Sequence, residues 1–158
     1  VDITAVIMNN RIYGMTGGQY SPLSGIGKYA STAPYSTIEN KFDITKLAEA
    51  SGATFVARTT TYHIREMIDI LCMAVSHKGF SVVEIFSQCP TYYGRKNQLK
   101  TPAAMLNYFK DNTTPIGSKA KEKNPELIER GVFINKEMPE YCEEYDKIIA
   151  KAQKNTEE

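Results

Sequence analysis

Apolar and polar positions divide this 158-residue chain into segments of two different periods. The run Ile-Thr-Ala-Val-Ile-Met (3–8) is continuously apolar and rich in β-branched residues, and it stops abruptly at Asn9-Asn10. Such a run predicts a buried parallel strand. Asp43 reads as the N-cap of a short helix over 44–51 that ends at Gly52, with Ile44, Leu47 and Ala48 on its inner face. Ala-Thr-Phe-Val-Ala (53–57) predicts a second short buried strand. Over 62–78 the period becomes helical, and Ile64, Met67, Ile68, Leu71, Cys72 and Val75 form one apolar stripe. His77 and Lys78 suit the negative end of that helix and Gly79 stops it. Phe-Ser-Val-Val-Glu-Ile-Phe (80–86) is the third strand. Strands alternating with helices predict a βαβ series, hence an α/β fold with a parallel sheet.

Beyond the third strand the pattern weakens. Thr101 as N-cap and Pro102 in the first turn open a helix to about residue 110. The polar stretch 112–125 predicts a linker or surface loop, and Gly-Val-Phe-Ile-Asn (131–135) a short strand. Pro139 opens a last helix over 139–154, with acids early, bases late, and Tyr141, Tyr145, Ile148, Ile149 and Ala152 on one face. The expected organisation is a site-bearing part over 1–112 and a linker with a helical extension over 113–158, docking on the core or on another subunit.

The long stretch 14–41 has no period and is rich in Gly, Ser, Thr, Tyr and Pro. A loop of that length inside a compact domain binds something or is disordered. Its Tyr20, Tyr29 and Tyr35 either pack on a partner or cover local apolar surface. In open α/β sheets, ligands gather at the carboxyl ends of strands, which places the expected site at Asn9-Asn10 and the glycines that follow. An amide oxygen such as that of Asn10 is a hard donor suited to Mg²⁺. A Thr-Gly-Gly backbone can approach phosphate oxygens closely.

Composition narrows the classes of function. A net charge of +1 argues against a nucleic-acid partner. No apolar run is long enough to cross a membrane. Three cysteines without close spacing predict a reducing compartment, the cytoplasm by default. The first residue is Val1 and the first strand begins almost at once, so the chain is expected to be the later part of a longer polypeptide.

The eleven residues Asn-Asn-Arg-Ile-Tyr-Gly-Met-Thr-Gly-Gly-Gln (9–19) resemble the second half of a thiamine-diphosphate motif. Their particular form is similar to the β subunit of 2-oxoacid:ferredoxin oxidoreductases, in the 2-oxoglutarate-type branch. Cys-Pro-Thr-Tyr-Tyr-Gly (89–94) is similar to a cluster-ligand segment of the same family. The resemblance covers most of residues 2–110 and implies the C-terminal part of a thiamine-diphosphate-binding fold. It implies Mg²⁺ held by the Asn10 side chain and the Ile12 carbonyl, with Gly14, Met15, Thr16 and Gly17 along the diphosphate. Asn9 is expected to be a structural amide. It further implies that Cys89 is one of four thiolates on a [4Fe–4S] cluster, the other three lying before Val1 together with the Gly-Asp-Gly half of the motif. Catalytic residues stay unassigned, because the family activates the far end of the cofactor from a partner subunit.

The activity so implied is oxidative decarboxylation of a 2-oxoacid to its acyl-coenzyme A, with electrons passed through the cluster to ferredoxin or a similar acceptor. An α subunit and further subunits are the implied partners. Branched-chain 2-oxoacids and pyruvate are alternative substrates. A non-redox thiamine-diphosphate decarboxylase or carboligase, and a non-catalytic interaction fragment, are alternative functions. Glu84, the one charge in the third strand, is expected to be hydrogen-bonded rather than catalytic. Cys72, in the apolar stripe of its helix, is expected in the core and Cys142 to be structural, and His63 and His77 have no ligand-spaced partner. Without cofactor, the loop from Gly14 to about Ile38 is expected to be mobile or displaced.

Overall fold

The computed structural model describes residues 1–154. In chain order its elements are β1 (Ile3–Asn9), α1 (Ile44–Ala50), β2 (Phe55–Thr60), α2 (Ile64–Ser76), β3 (Phe80–Phe86), α3 (Pro102–Asp111), β4 (Thr113–Pro115), α4 (Lys119–Lys123), β5 (Ile128–Asn135) and α5 (Tyr141–Lys154). The sheet runs β1-β3-β2-β5-β4. The three strands of the expected βαβ series pair parallel, with Asn9 opposite Phe86 and Thr60 also opposite Phe86. All three therefore reach their carboxyl ends together.

Alternation along the strands sets the two layers. Val56 and Val82 face one side, where they pack with Ile44 and Ala48 of α1 and with Ile134. Phe55, Ala57, Val83 and Ile85 face the other side, against Ile70 and Ala74 of α2. Each fully buried side chain of this size contributes about 1.5–3 kcal/mol. The helix termini follow the local sequence: Asp43 accepts from the backbone N–H groups of Thr45 and Lys46, and Thr101 from that of Ala104.

Several expectations need correction. The second strand runs to Thr60, because Arg58, Thr59 and Thr60 are buried with partners and so need no solvent. On α2 the buried arc is Met67, Ile70, Leu71 and Ala74, whereas Ile64, Ile68, Cys72 and Val75 are exposed. The apolar arc of this helix is wider than its contact with the sheet, and the seated part is rotated from the expected stripe. The first strand is parallel to β3 but lies at the sheet edge, leaving Ile3, Val6 and Met8 exposed. The stretch 112–125 contains β4 and α4 rather than only a linker.

The strand expected over 131–135 begins earlier, at Ile128, and pairs antiparallel with β2. Strands β4 and β5 thus join the sheet formed by β1, β2 and β3. A register shift opposite Val56 and Ala57 leaves Phe133 unpaired, and Gly131, two residues before it, takes φ +126°. The freed Phe133 ring lies 5.4 Å from the Arg58 guanidinium carbon. The last helix, α5, is exposed along its length, with Tyr141 and Tyr145 stacked at 5.9 Å.

Candidate functional site

The site is built on the carboxyl ends of the neighbouring strands β1 and β3. The Ser87 N–H donates to the Asn9 carbonyl at 3.0 Å, so the two chains leave the sheet side by side. One continues into the glycine-rich loop, the other into Ser87-Gln88-Cys89 and a tight π-type turn over Pro90–Gly94.

At the end of β1 two consecutive side-chain turns form. Asn9 Oδ1 accepts from the Arg11 N–H at 2.9 Å, and Asn10 Oδ1 accepts from the Ile12 N–H at 3.2 Å. Arg11 lies between them at φ 63°, a left-handed conformation that few residues other than glycine adopt without support. Its guanidinium is buried over the Phe86 ring at 4.8 Å and donates to the hydroxyls of Tyr93 and Tyr108 at 3.4 and 3.3 Å. Burial alone would lower the pKa of Arg11, but the two phenols outweigh it and the net shift is upward. Tyr108 shows the reverse balance: burial would raise its pKa, and the Arg11 guanidinium brings it down.

Beneath this turn lies a buried polar network. Asn9 Nδ2 donates to Glu84 Oε1 at 2.6 Å, and Arg58 Nε donates to Glu84 Oε2 at 2.6 Å. The second end of the Arg58 fork reaches Asp43 at 2.7 Å and the Thr45 hydroxyl at 3.2 Å. Burial raises the pKa of Asp43, yet the Thr45 hydroxyl and the Arg58 charge outweigh it and hold the carboxyl below its ordinary range. Glu84 is therefore a hydrogen-bonded core carboxylate, as its place in an apolar strand suggested, and Asn9 spends both amide atoms inside the protein. Arg58 and Asp43 escaped sequence reasoning as members of this network. An arginine immediately after an apolar strand core was the available signal.

The glycine-rich loop folds back on itself. The Gly17 and Gly18 N–H groups donate to the Gly14 and Tyr13 carbonyls at 3.2 and 2.9 Å, at φ 117° and 83°. Thr16 and Gln19 bond each other through side chain and backbone. Further on, the Ser24 hydroxyl donates to the Arg11 carbonyl at 2.6 Å, and Asn97 grips both the N–H and the carbonyl of Tyr29. Ala30 and Ala33 are buried with Ile12, Tyr93 and Met105. The loop has a small core of its own.

The two motifs meet although some seventy residues separate them in sequence. A Cβ placed on Gly14 would lie 3.5 Å from Cys89 Sγ and 3.9 Å from Asn10 Nδ2. One placed on Gly18 would come within 2.5 Å of the Tyr92 ring, so only glycine lets the 90–94 turn support the loop from below. Asn10 and Ile12 border a cavity of about 470 Å³ that continues along Met8, Leu23, Phe42 and Leu47. Gly14, Met15, Thr16 and Gly17 lie outside that lining, with Met15 fully exposed at the tip. Cys89 is half-buried; Cys72 and Cys142 are exposed. The exposure of Cys72 corrects its expected place in the core. Among the described residues no three His, Cys, Asp or Glu side chains converge on a metal position.

The donor set at the turn matches a hard cation: a carboxamide oxygen at Asn10 and a backbone carbonyl at Ile12, neither of them soft. The Gly14 position, open between Asn10 and Cys89, is a cradle that any side chain would fill. The residues present thus fit a divalent metal with a diphosphate.

Comparison with known proteins agrees with this geometry. The family model described as thiamine pyrophosphate enzyme, C-terminal TPP binding domain, matches residues 1–85. The 2-oxoglutarate synthase subunit KorB of Methanocaldococcus jannaschii is 45% identical over 155 residues, which span 96% of this chain and 57% of that protein. The subunit of the same name from Methanothermobacter thermautotrophicus is 43% identical over 147 residues, 90% of this chain and 51% of its own length. Among solved structures, the 2-oxoglutarate:ferredoxin oxidoreductase from Magnetococcus marinus with 2-oxoglutarate, coenzyme A and succinyl-CoA bound superposes with a TM-score of 0.81 at 29% identity. That match covers 97% of this chain and 54% of the other. The chain spans about half the length of the curated relatives it matches. Its strand-end turn, its glycine-rich loop and these likenesses lead to one statement: the chain belongs to the family of the C-terminal, TPP-binding domain of thiamine pyrophosphate enzymes.

Proposed function

We propose that this chain is the cofactor-binding part of the β subunit of a 2-oxoglutarate:ferredoxin oxidoreductase, which converts a 2-oxoacid to its acyl-coenzyme A. The observation that carries the reading is the meeting of Asn10, Gly14 and Cys89 at the ends of two adjacent parallel strands. The identity of 45% to a 2-oxoglutarate synthase subunit supports it and favours 2-oxoglutarate over pyruvate or branched-chain 2-oxoacids. In this reading Asn10 and the Ile12 carbonyl hold Mg²⁺, and the backbone of Gly14, Met15, Thr16 and Gly17 lies along the diphosphate.

When bound, thiamine diphosphate supplies the carbon nucleophile that attacks the 2-oxo carbon and accepts the electrons left when CO₂ departs. The chain's own residues bind and orient. The Asn9-Asn10 turn fixes the metal-facing oxygen, and Tyr92 and Tyr93 keep the loop closed over the strand ends. Cys89 stands beside the loop as one thiolate for a [4Fe–4S] cluster whose remaining ligands come from outside residues 1–154. Residues 1–112 carry these groups, whereas 113–154 complete the sheet and supply an arm. An α subunit, coenzyme A and ferredoxin or a similar acceptor are the partners, and the cytoplasm is the compartment.

The test uses the full-length subunit in its complex. Reduction of ferredoxin is expected to require both 2-oxoglutarate and coenzyme A, with iron and labile sulfide present and lost in Cys89→Ala. A complex without iron, or one that decarboxylates without passing electrons, overturns the reading in favour of a non-redox thiamine enzyme.

A further inference from the structure

We infer that Glu84 is a positioning residue for the metal-binding turn, acting through the Asn9 amide. The inference rests on the proposed metal position at Asn10 and goes beyond it, since Glu84 touches no ligand.

The argument begins with donor and acceptor chemistry. An ionised carboxylate only accepts hydrogen bonds, whereas a carboxamide both donates and accepts. Glu84 is 2% exposed, and its two oxygens take one N–H from Asn9 and one from Arg58, each at 2.6 Å. Facing such an acceptor, the Asn9 side chain has one favourable orientation, with Nδ2 toward Glu84. Its Oδ1 is then necessarily turned to the chain and accepts the Arg11 N–H at 2.9 Å. That bond closes the turn in which Arg11 takes φ 63°, and Asn10 and Ile12 flank this residue on either side. The direction in which the Asn10 oxygen and the Ile12 carbonyl point is thus set from inside the core. Arg58 pairs with Glu84 from the other side, and is itself fixed by Asp43 and covered by Phe133. The network is a chain of oriented bonds running from the cap of α1 to the metal-facing turn.

Glutamine at 84 keeps the shape and removes the constraint. Asn9 and Arg58 each donate to a different oxygen of Glu84, so the glutamine amide nitrogen that replaces one of them faces one of the two donors. With its oxygen on the charged Arg58, it donates toward Asn9, whose amide then flips and gives up the Arg11 N–H. The experiment titrates Mn²⁺, followed by electron paramagnetic resonance, into the full-length complex at saturating thiamine diphosphate, with thermal melting measured in parallel. Glu84→Gln is expected to weaken Mn²⁺ binding about ten-fold or more, the loss typical of a removed outer-shell partner. Asn9→Ala keeps the Glu84–Arg58 pair and is expected to show the same loss. Adding Glu84→Gln to Asn9→Ala should lower the melting temperature further with no additional loss of Mn²⁺ affinity.

Wild-type affinity in Glu84→Gln, or losses that simply add in the double variant, would overturn the inference. If Glu84→Gln does not fold, Asn9→Ala decides alone, and wild-type affinity there overturns it equally. Asn10→Ala separates the two levels. Loss of Mn²⁺ in Asn10→Ala with none in Glu84→Gln removes the positioning role and leaves the metal position standing. Unchanged affinity in both removes the metal position as well.

Discussion

The floor of the site and its roof are stabilised by different means. The floor is the polar network of Asn9, Glu84, Arg58 and Asp43, in which Glu84 and Arg58 are buried, Asp43 is half-buried and each charge is paired. The roof is the loop over 14–42, whose order comes from backbone bonds, serine and threonine hydroxyls and a few small apolar residues such as Ala30 and Ala33. Buried charges tolerate no vacancy, because an unpaired partner stays desolvated. A loop held by many weak neutral bonds loses them one at a time. The difference implies that the floor fixes where the Asn10 side-chain oxygen and the Ile12 carbonyl sit, while the roof is free to vary in detail.

The comparison is tested most severely by Arg58→Ala. It leaves Glu84 buried with its main partner gone and is expected to cost about 3–5 kcal/mol in chemical denaturation; a cost below about 1 kcal/mol would show that the floor is not electrostatically held. Gly18→Ala strikes the roof. The new methyl meets the Tyr92 ring and the backbone is at φ 83°, so a cost of about 1–3 kcal/mol is expected, with the 90–94 turn displaced. Structure determination that finds Tyr92 unmoved would contradict the contact.

Asn97→Ala removes the clamp on Tyr29 and the bond to the Tyr93 carbonyl. About 1 kcal/mol is expected, because these groups find water when released. Limited proteolysis should accelerate within 20–42 but not in β2 or β3. The smallest effect concerns pH. Asp43 is held below its ordinary range in the folded chain, so its contribution is present above the unfolded pKa of about 4 and lost as pH falls through the lower folded value. Melting followed from neutral to acid pH should show this loss, and Asp43→Asn should flatten it.

Much of this arrangement was legible in the sequence. The run 3–8 with its Asn-Asn stop, and the run 80–86, are long apolar segments whose ends are marked by amides or by Pro90. The helix caps at Asp43 and Thr101 have unambiguous side chains. Legibility failed where burial and polarity part company. Arg58, Thr59 and Thr60 look like the end of a strand, yet they are buried like its apolar residues, since pairing across the sheet replaces solvent. The α2 stripe failed for the opposite reason: Ile68 and Val75 are apolar but have nothing to cover them among the described residues. Short elements such as β4 and α4 carry too few residues for a period to emerge, and the antiparallel entry of β5 depends on a distant pairing. At the site, Asn10, Gly14 and Cys89 were each identifiable by type, but their approach to one another is a property of β1 lying next to β3.

The sheet has two unequal rims. On one side β4 is only three residues long, Thr113–Pro115, and ends in a proline that offers no N–H. On the other side β1 presents seven residues. A strand joining the sheet would therefore find a long template only beside β1. Growth of this sheet is directional, and the direction is toward Asn9-Asn10. Anything that extends it there runs alongside the strand whose end carries the Asn9-Asn10 turn.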